Sequence, residues 1–239
     1  MRSRRIAVFL LAAALALSTA CGTEPDRTPQ PPPAQLPLND TPQNAVLRFI
    51  AAFEQKKGPE FAALFTGDFT FEFSNATDPE LANRWSTGWF AIDESLAAAH
   101  LFGGGLTQQG KTMPPAASVD LTFSRTEPLD DTEGRDPAKY KVLPTTVDAV
   151  VVVVPQGSYL EPTTWVVTNN AHRFYLVRGD AAVELGPGQP ADSTRWYIWR
   201  WIDETVMDST APGGAPAPDP AQPTPTRRTT WGSIKGLYR

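Results

Sequence analysis

Cysteine is all but missing from this chain of 239 residues; the single one is Cys21. A lone cysteine rules out a disulfide within the chain and leaves no thiol to pair with a catalytic histidine elsewhere. Histidine is nearly as scarce. His100 and His172 are the only two, and neither sits in an H-E-x-x-H or H-x-x-E-H spacing, so no metal centre is expected. No serine stands in a G-x-S-x-G elbow, which removes the signature of nucleophilic acyl transfer. The glycines 103–105 follow an apolar, alanine-rich segment and so end a helix, whereas a phosphate cradle opens one. Basic charge is also in deficit, 21 Lys and Arg against 26 Asp and Glu. Such a chain is repelled by phosphate backbones, which excludes nucleic acid as the expected partner. The apolar run Ile6–Leu17 is about a dozen residues, short of the roughly 20 that a membrane-spanning helix needs.

That short run has a positive segment before it, Arg2, Arg4 and Arg5, and the small residues Ser18, Thr19 and Ala20 after it. The pattern is an export signal over residues 1–20. Leu17-Ser18-Thr19-Ala20-Cys21 resembles the lipobox of bacterial lipoproteins. The resemblance implies that the Cys21 thiol carries diacylglycerol, that the chain is cut before it, and that the new amino terminus is acylated, with palmitate among the chains expected. A multiply acylated cysteine holds a protein on a membrane that it does not enter. Gly22 is not the aspartate associated with inner-membrane retention, so the expected location is the cell envelope, and in a diderm bacterium the outer membrane. Cutting after residue 20 removes three arginines and no acid, leaving 18 basic residues against 26 acidic ones.

Proline marks out the folded part. Of 24 prolines, seven lie between Gly22 and Pro42 and six between Ala211 and Pro225. The first group makes residues 21–40 a semi-rigid spacer, and the second makes residues 211–228 a disordered Pro/Ala-rich loop with little apolar surface to bury. One domain, 41–239, remains.

Within it, Thr41-Pro42 predicts a capped helix start, and Val46, Phe49, Ile50 and Phe53 fall on one face of that helix. A second short helix carries Phe61, Leu64 and Phe65 and stops at Gly67. "DFTFEF" alternates as a half-buried strand with Phe69, Phe71 and Phe73 inward. A third helix is expected from about Ile92 to Phe102. Period-two segments then follow, including a valine-rich strand from Thr145 to Val154, strands on either side of a hairpin turn at Asn169-Asn170, and "RWYIWRWIDE". Helices first and antiparallel strands last give an α+β class.

The stretches "TPQNAVLRFIAAFEQKKGPEFAALFTGDFTFEF", "WYIWRWID" and "TWGSIKGLYR" resemble the nuclear transport factor 2-like superfamily, a cone-shaped fold shared with ketosteroid isomerases and SnoaL-like polyketide cyclases. The resemblance implies a curved antiparallel sheet with N-terminal helices on its concave side. Enzymes of that superfamily place aspartate, tyrosine or histidine inside the cone. Here Asp68, Tyr197 and Asp203 are the residues of that type, although none matches a catalytic motif, so no catalytic set is assigned. Candidate ligand-binding residues are Trp85 and Trp89 at the mouth, His100 on the third helix facing the sheet, and Tyr197, Trp199 and Trp201 sharing one face of the last strand. The basic residues Arg227, Arg228, Lys235 and Arg239 are expected in a solvated tail or a last helical turn. The expectation is a binding domain for a small apolar molecule or a protein partner, without catalysis or cofactor, and with dimerisation through the sheet open to it. An isomerase- or cyclase-type enzyme and a purely structural envelope protein are the alternatives.

Overall fold

A computed structural model describes residues 35–108, 110–124, 126–153, 163–180, 183–186, 189–206 and 226–239. The export signal, Cys21, residues 21–34 of the spacer and residues 211–225 lie outside the described residues. The compact unit begins at Leu36.

The first helix, α1 (Pro42–Glu54), starts where the sequence places it, with the Thr41 hydroxyl accepting from the Asn44 N–H and Pro42 needing no donor partner. Ala45, Val46, Phe49, Ala52 and Phe53 form its buried face. After the short α2 (Gly58–Ala62) the chain enters β1 (Phe65–Glu72), whose Phe69 and Phe71 point inward, followed by Phe73 just beyond. Then come α3 (Pro79–Arg84), β2 (Trp89–Phe90), α4 (Ala91–Gly103), the minor strands β3 (Gly105–Leu106) and β4 (Thr112–Met113), and β5 (Ala116–Phe123). The chain continues through β6 (Leu129–Asp130), the long strands β7 (Tyr140–Val153), β8 (Thr163–Gly179) and β9 (Asp192–Asp203), β10 (Thr226–Arg228) and α5 (Trp231–Tyr238).

The main sheet runs β2-β1-β9-β8-β7-β5, antiparallel except where β1 meets β9 and where β10 extends the edge of β8. The α+β expectation holds. The curvature follows from one ring. Four strand spacings separate β1 from β5 in that order, about 19 Å in a flat sheet. Phe49 nevertheless lies 6.4 Å from Phe65 of β1 and 5.8 Å from Phe123 of β5. The sheet therefore wraps around α1. A separate clamp fixes the chain ahead of α1, where the Asn39 amide donates to the Trp196 carbonyl and the Trp196 N–H donates to the Asn39 carbonyl.

Three local expectations are corrected. Asn169-Asn170 is not a hairpin turn, because β8 runs unbroken through it. The register against β7 slips there, Asn169 takes the left-handed region (φ 53°), and its N–H donates to the Asp148 carboxylate at 2.6 Å. Asparagine tolerates that conformation, so the pair makes a bulge. Thr226–Arg228, expected at the end of the disordered loop, forms β10 beside Thr164–Val166. The third correction concerns β9. Tyr175 pairs with Arg200 but Leu176 pairs with Ile198, so Trp199 is an extra residue and the alternation inverts across it. Trp196, Ile198 and Trp201 line the core, while Tyr197 and Trp199 do not share Trp201's face.

Candidate functional site

The wall beneath α5 is where the polar chemistry of this domain collects. α5 has six of its eight residues buried, Lys235 among them. Thr230 caps its start, accepting from the Ser233 N–H, and both hydroxyls donate to the buried carboxylate of Asp78. Side chains at 232 and 236 would collide with Asp78 and with Leu81, so Gly232 and Gly236 let the helix sit directly on its neighbours.

Lys235 enters the interior from this helix. Its ammonium donates to Glu94 Oε2 at 2.8 Å, with 4% of the lysine side chain and 1% of the glutamate side chain exposed. Three aromatic rings surround it. Nζ lies 3.1 Å from the Phe71 centroid, 3.8 Å from that of Trp201 and 5.8 Å from that of Trp89. Trp89 Nε1 donates to the same Glu94 oxygen at 2.8 Å. Burial pushes the lysine pKa down to about 8 against the pull of Glu94. Arg239, beyond the end of α5, bonds to Asp93 at 2.8 Å, and His100 Nδ1 meets the Tyr238 carbonyl at 2.7 Å.

Behind the ion pair lies a second polar layer. His172 is 1% exposed and accepts from Trp201 Nε1 at 3.0 Å. That bond fixes the neutral tautomer that carries its proton on Nε2, and Nε2 has no partner among the described residues. Burial, then the charge of Lys235, lowers its pKa to about 3. Asp203 is 3% exposed, its Oδ1 accepts from the Thr205 N–H, and its Oδ2 is unpartnered. Burial raises its pKa, helped by nearby Asp78. Among the described residues, no three His, Cys, Asp or Glu side chains are grouped to hold a metal ion.

The space beneath α5 is tightly filled. Between Phe53, α4 and α5 the remaining space is about 10 Å³, at most a single water. Phe174 and Trp201 stack in the core, and Phe49 meets both edge to face. The larger cavity, about 480 Å³, lies outside, between α3 and α5, lined by Pro79, Glu80, Leu81, Arg84 and Leu237 with Asp78 and Ser233 at its floor.

The sequence-derived candidates divide accordingly. Trp85 and Trp89 do meet edge to face at 4.9 Å, but Trp89 is fully buried on Glu94. Trp201 is fully buried. His100 turns toward α5 instead of the sheet. Tyr197 packs across Gly179 and Trp199 sits among Tyr140, Tyr175 and Arg135, both off the core face. Asp68 is exposed. Asp203 alone of the three possible proton-transfer residues is inside. Glu94, His172, Asp78 and Lys235 were not singled out as site residues, and Lys235, expected in a solvated tail or a last helical turn, stands in the last turn of α5 and is buried.

No family model matches this chain, and no curated protein matches it. Among solved structures the chain is similar to a protein of Novosphingobium aromaticivorans named as a scytalone dehydratase, at 10% identity and TM-score 0.43, covering 69% of this chain and 81% of that one. It is similar also to a ketosteroid isomerase-like protein of Erwinia carotovora atroseptica, at 12% identity and TM-score 0.38, covering 69% and 93%. A nuclear transport factor 2-like superfamily protein of Salmonella enterica aligns at 14% identity and TM-score 0.37, covering 71% and 92%.

Proposed function

We propose that this chain is a lipid-anchored protein of the bacterial cell envelope, held by acyl chains on Cys21, and that its domain binds a small, largely apolar molecule in the cleft between α3 and α5. The observation that carries the binding assignment is the contrast in free space, about 10 Å³ under α5 and about 480 Å³ outside it. The outer cleft has the size of a small-molecule site. Pro79, Leu81 and Leu237 supply its apolar surface, and Glu80 and Arg84 supply polar ends for orientation. The proline spacer 21–40 keeps that cleft clear of the lipid surface.

Native mass spectrometry of the full chain extracted from membranes tests both halves. The expected result is an acylated amino-terminal peptide, lost in Cys21→Ala, and a small molecule retained by the wild type but lost in Leu81→Asp/Leu237→Asp. Continued acylation of Cys21→Ala removes the anchor, and a ligand kept by the cleft variant moves the site elsewhere. The same spectra show whether the domain dimerises through its sheet.

A second reading, an isomerase- or cyclase-type enzyme, draws on Asp203, whose burial raises its pKa and whose Oδ2 is open to a donor. It requires a substrate to reach Asp203, which is 3% exposed beneath Gly232 of α5.

A further inference from the structure

We infer that the box formed by Phe71, Trp89, Trp201 and Glu94 is a binding site for an alkylammonium group, occupied in this conformation by the chain's own Lys235, with α5 acting as a tethered competitor for that site. The inference goes beyond the outer cleft and does not depend on it.

The argument starts from cost. A buried lysine-glutamate pair gives up the hydration of two charges, and replacing the whole pair by apolar residues of similar volume is often neutral or stabilising. Filling the core therefore does not require an ion pair at 235 and 94. What the surroundings offer is specific for a cation. One ring face lies at 3.1 Å, a second at 3.8 Å and a third ring at 5.8 Å, with a single carboxylate at 2.8 Å that Trp89 Nε1 holds in place. Ring faces attract ammonium groups through their quadrupole, and methylated or primary amines on slim apolar stems are the ligands such boxes take. Glu94 is fixed by α4 and by Trp89, and the rings by β1, β2 and β9, so the box belongs to the body of the domain and only its occupant belongs to α5.

Three of the nine buried side-chain polar atoms without a partner among the described residues gather at the seat of α5. Trp231 Nε1 of α5 itself, Asp203 Oδ2 beside Gly232, and His172 Nε2 have no partner among the described residues. Each is costly to hold dry. Trp231, Ile234 and Tyr238 seat the helix in the core, and the pairings of Thr230 and Ser233 to Asp78, Lys235 to Glu94, Arg239 to Asp93 and Tyr238 to His100 pin it through ionic or hydrogen-bonded contacts exchangeable with water. The helix shares no strand ladder with the sheet beneath it, so it can open locally while those strands stay paired. With α5 lifted, an amine with an apolar chain replaces Lys235 on Glu94 while its chain covers the rings.

The test uses the full chain with n-butylammonium, which reproduces the lysine stem and head, and with n-butanol, which reproduces the stem alone. Lys235→Ala should bind butylammonium about tenfold or more tighter than butanol, read from tryptophan fluorescence and Tm, and Lys235→Ala/Glu94→Gln should lose that preference. If Lys235→Ala does not fold unaided, recovery of folding in butylammonium and not in butanol is the same positive result, and recovery in neither overturns the proposal. In the wild type, amide hydrogen exchange in α5 should run at least about tenfold faster than in β8 and quicken further with butylammonium but not with butanol. Equal affinity for the two probes overturns the site. Exchange in α5 that matches β8 and ignores the amine overturns the competitor.

Discussion

Both faces of the curved sheet set cations against aromatic rings, and they do so under opposite conditions. On the inner face one lysine, wholly buried, meets one carboxylate and three rings. On the outer face Arg135 stands 4.4 Å from Trp199, and Arg200 stands 5.1 Å from Tyr175. Both arginines are part-exposed and share Glu133 as a partner, while Arg135 also pairs with Asp131 and Arg200 with Glu72. The geometry is alike, but the solvent is not. Water beside the outer groups takes up whatever a lost partner leaves behind, whereas inside nothing does.

Four sets of measurements test that contrast. The largest effect is expected from Glu94→Ala, which strands the Lys235 ammonium and should cost about 3–5 kcal/mol in denaturant unfolding. Lys235→Met/Glu94→Gln, which removes both charges and keeps the volume, should cost far less than either charge-stranding single change. A double variant as damaged as Glu94→Ala would show that the pair itself, and not the stranded charge, carries the stability.

The next effect is set by pH. His172 titrates in the unfolded chain near 6.5 and in the fold near 3, so the unfolded state binds the extra proton between those values. Stability should fall as pH drops through that window, by about 1.4 kcal/mol per unit, and His172→Gln should remove that part of the slope. Lys235, near 8 in the fold and 10.5 when unfolded, behaves alike at the other end, and stability should rise between pH 8 and 10. Unfolding curves of wild type and variant at pH 5, 7, 8 and 10 would expose a flat difference if either assignment fails.

Smaller again is Arg135→Ala on the outer face, about 0–1 kcal/mol and shrinking further in 0.5 M salt. A loss near that of Glu94→Ala would mean that the outer lattice is as dry as the inner box. Smallest is Asn169→Gly at the bulge, a few tenths of a kcal/mol, because glycine also accepts the left-handed conformation.

The sequence made α1 legible because Thr41-Pro42 and the Val46, Phe49, Phe53 spacing act within one or two turns. β1 was legible for the same reason, since the alternation of Phe69, Phe71 and Phe73 is a local pattern. The two bulges were not. Whether Asn169 turns or bulges, and whether Trp199 keeps or breaks the alternation, depends on the strand lying alongside, which no local period encodes. The buried site was half written. Trp231, Ile234, Lys235 and Tyr238 stand at the spacing of a single helical face, so a lysine there occupies an apolar position and asks for a buried acid. That the acid is Glu94, 141 residues away, required the fold.

The Asn39–Trp196 clamp has a mechanical consequence. Its two hydrogen bonds join the chain just ahead of α1 to β9, a central strand of the sheet. Tension applied to the polypeptide upstream of Leu36 reaches that strand before it can unwind α1, and must rupture both bonds together. The domain thus meets such a load through a central strand, and α5 lies off that path.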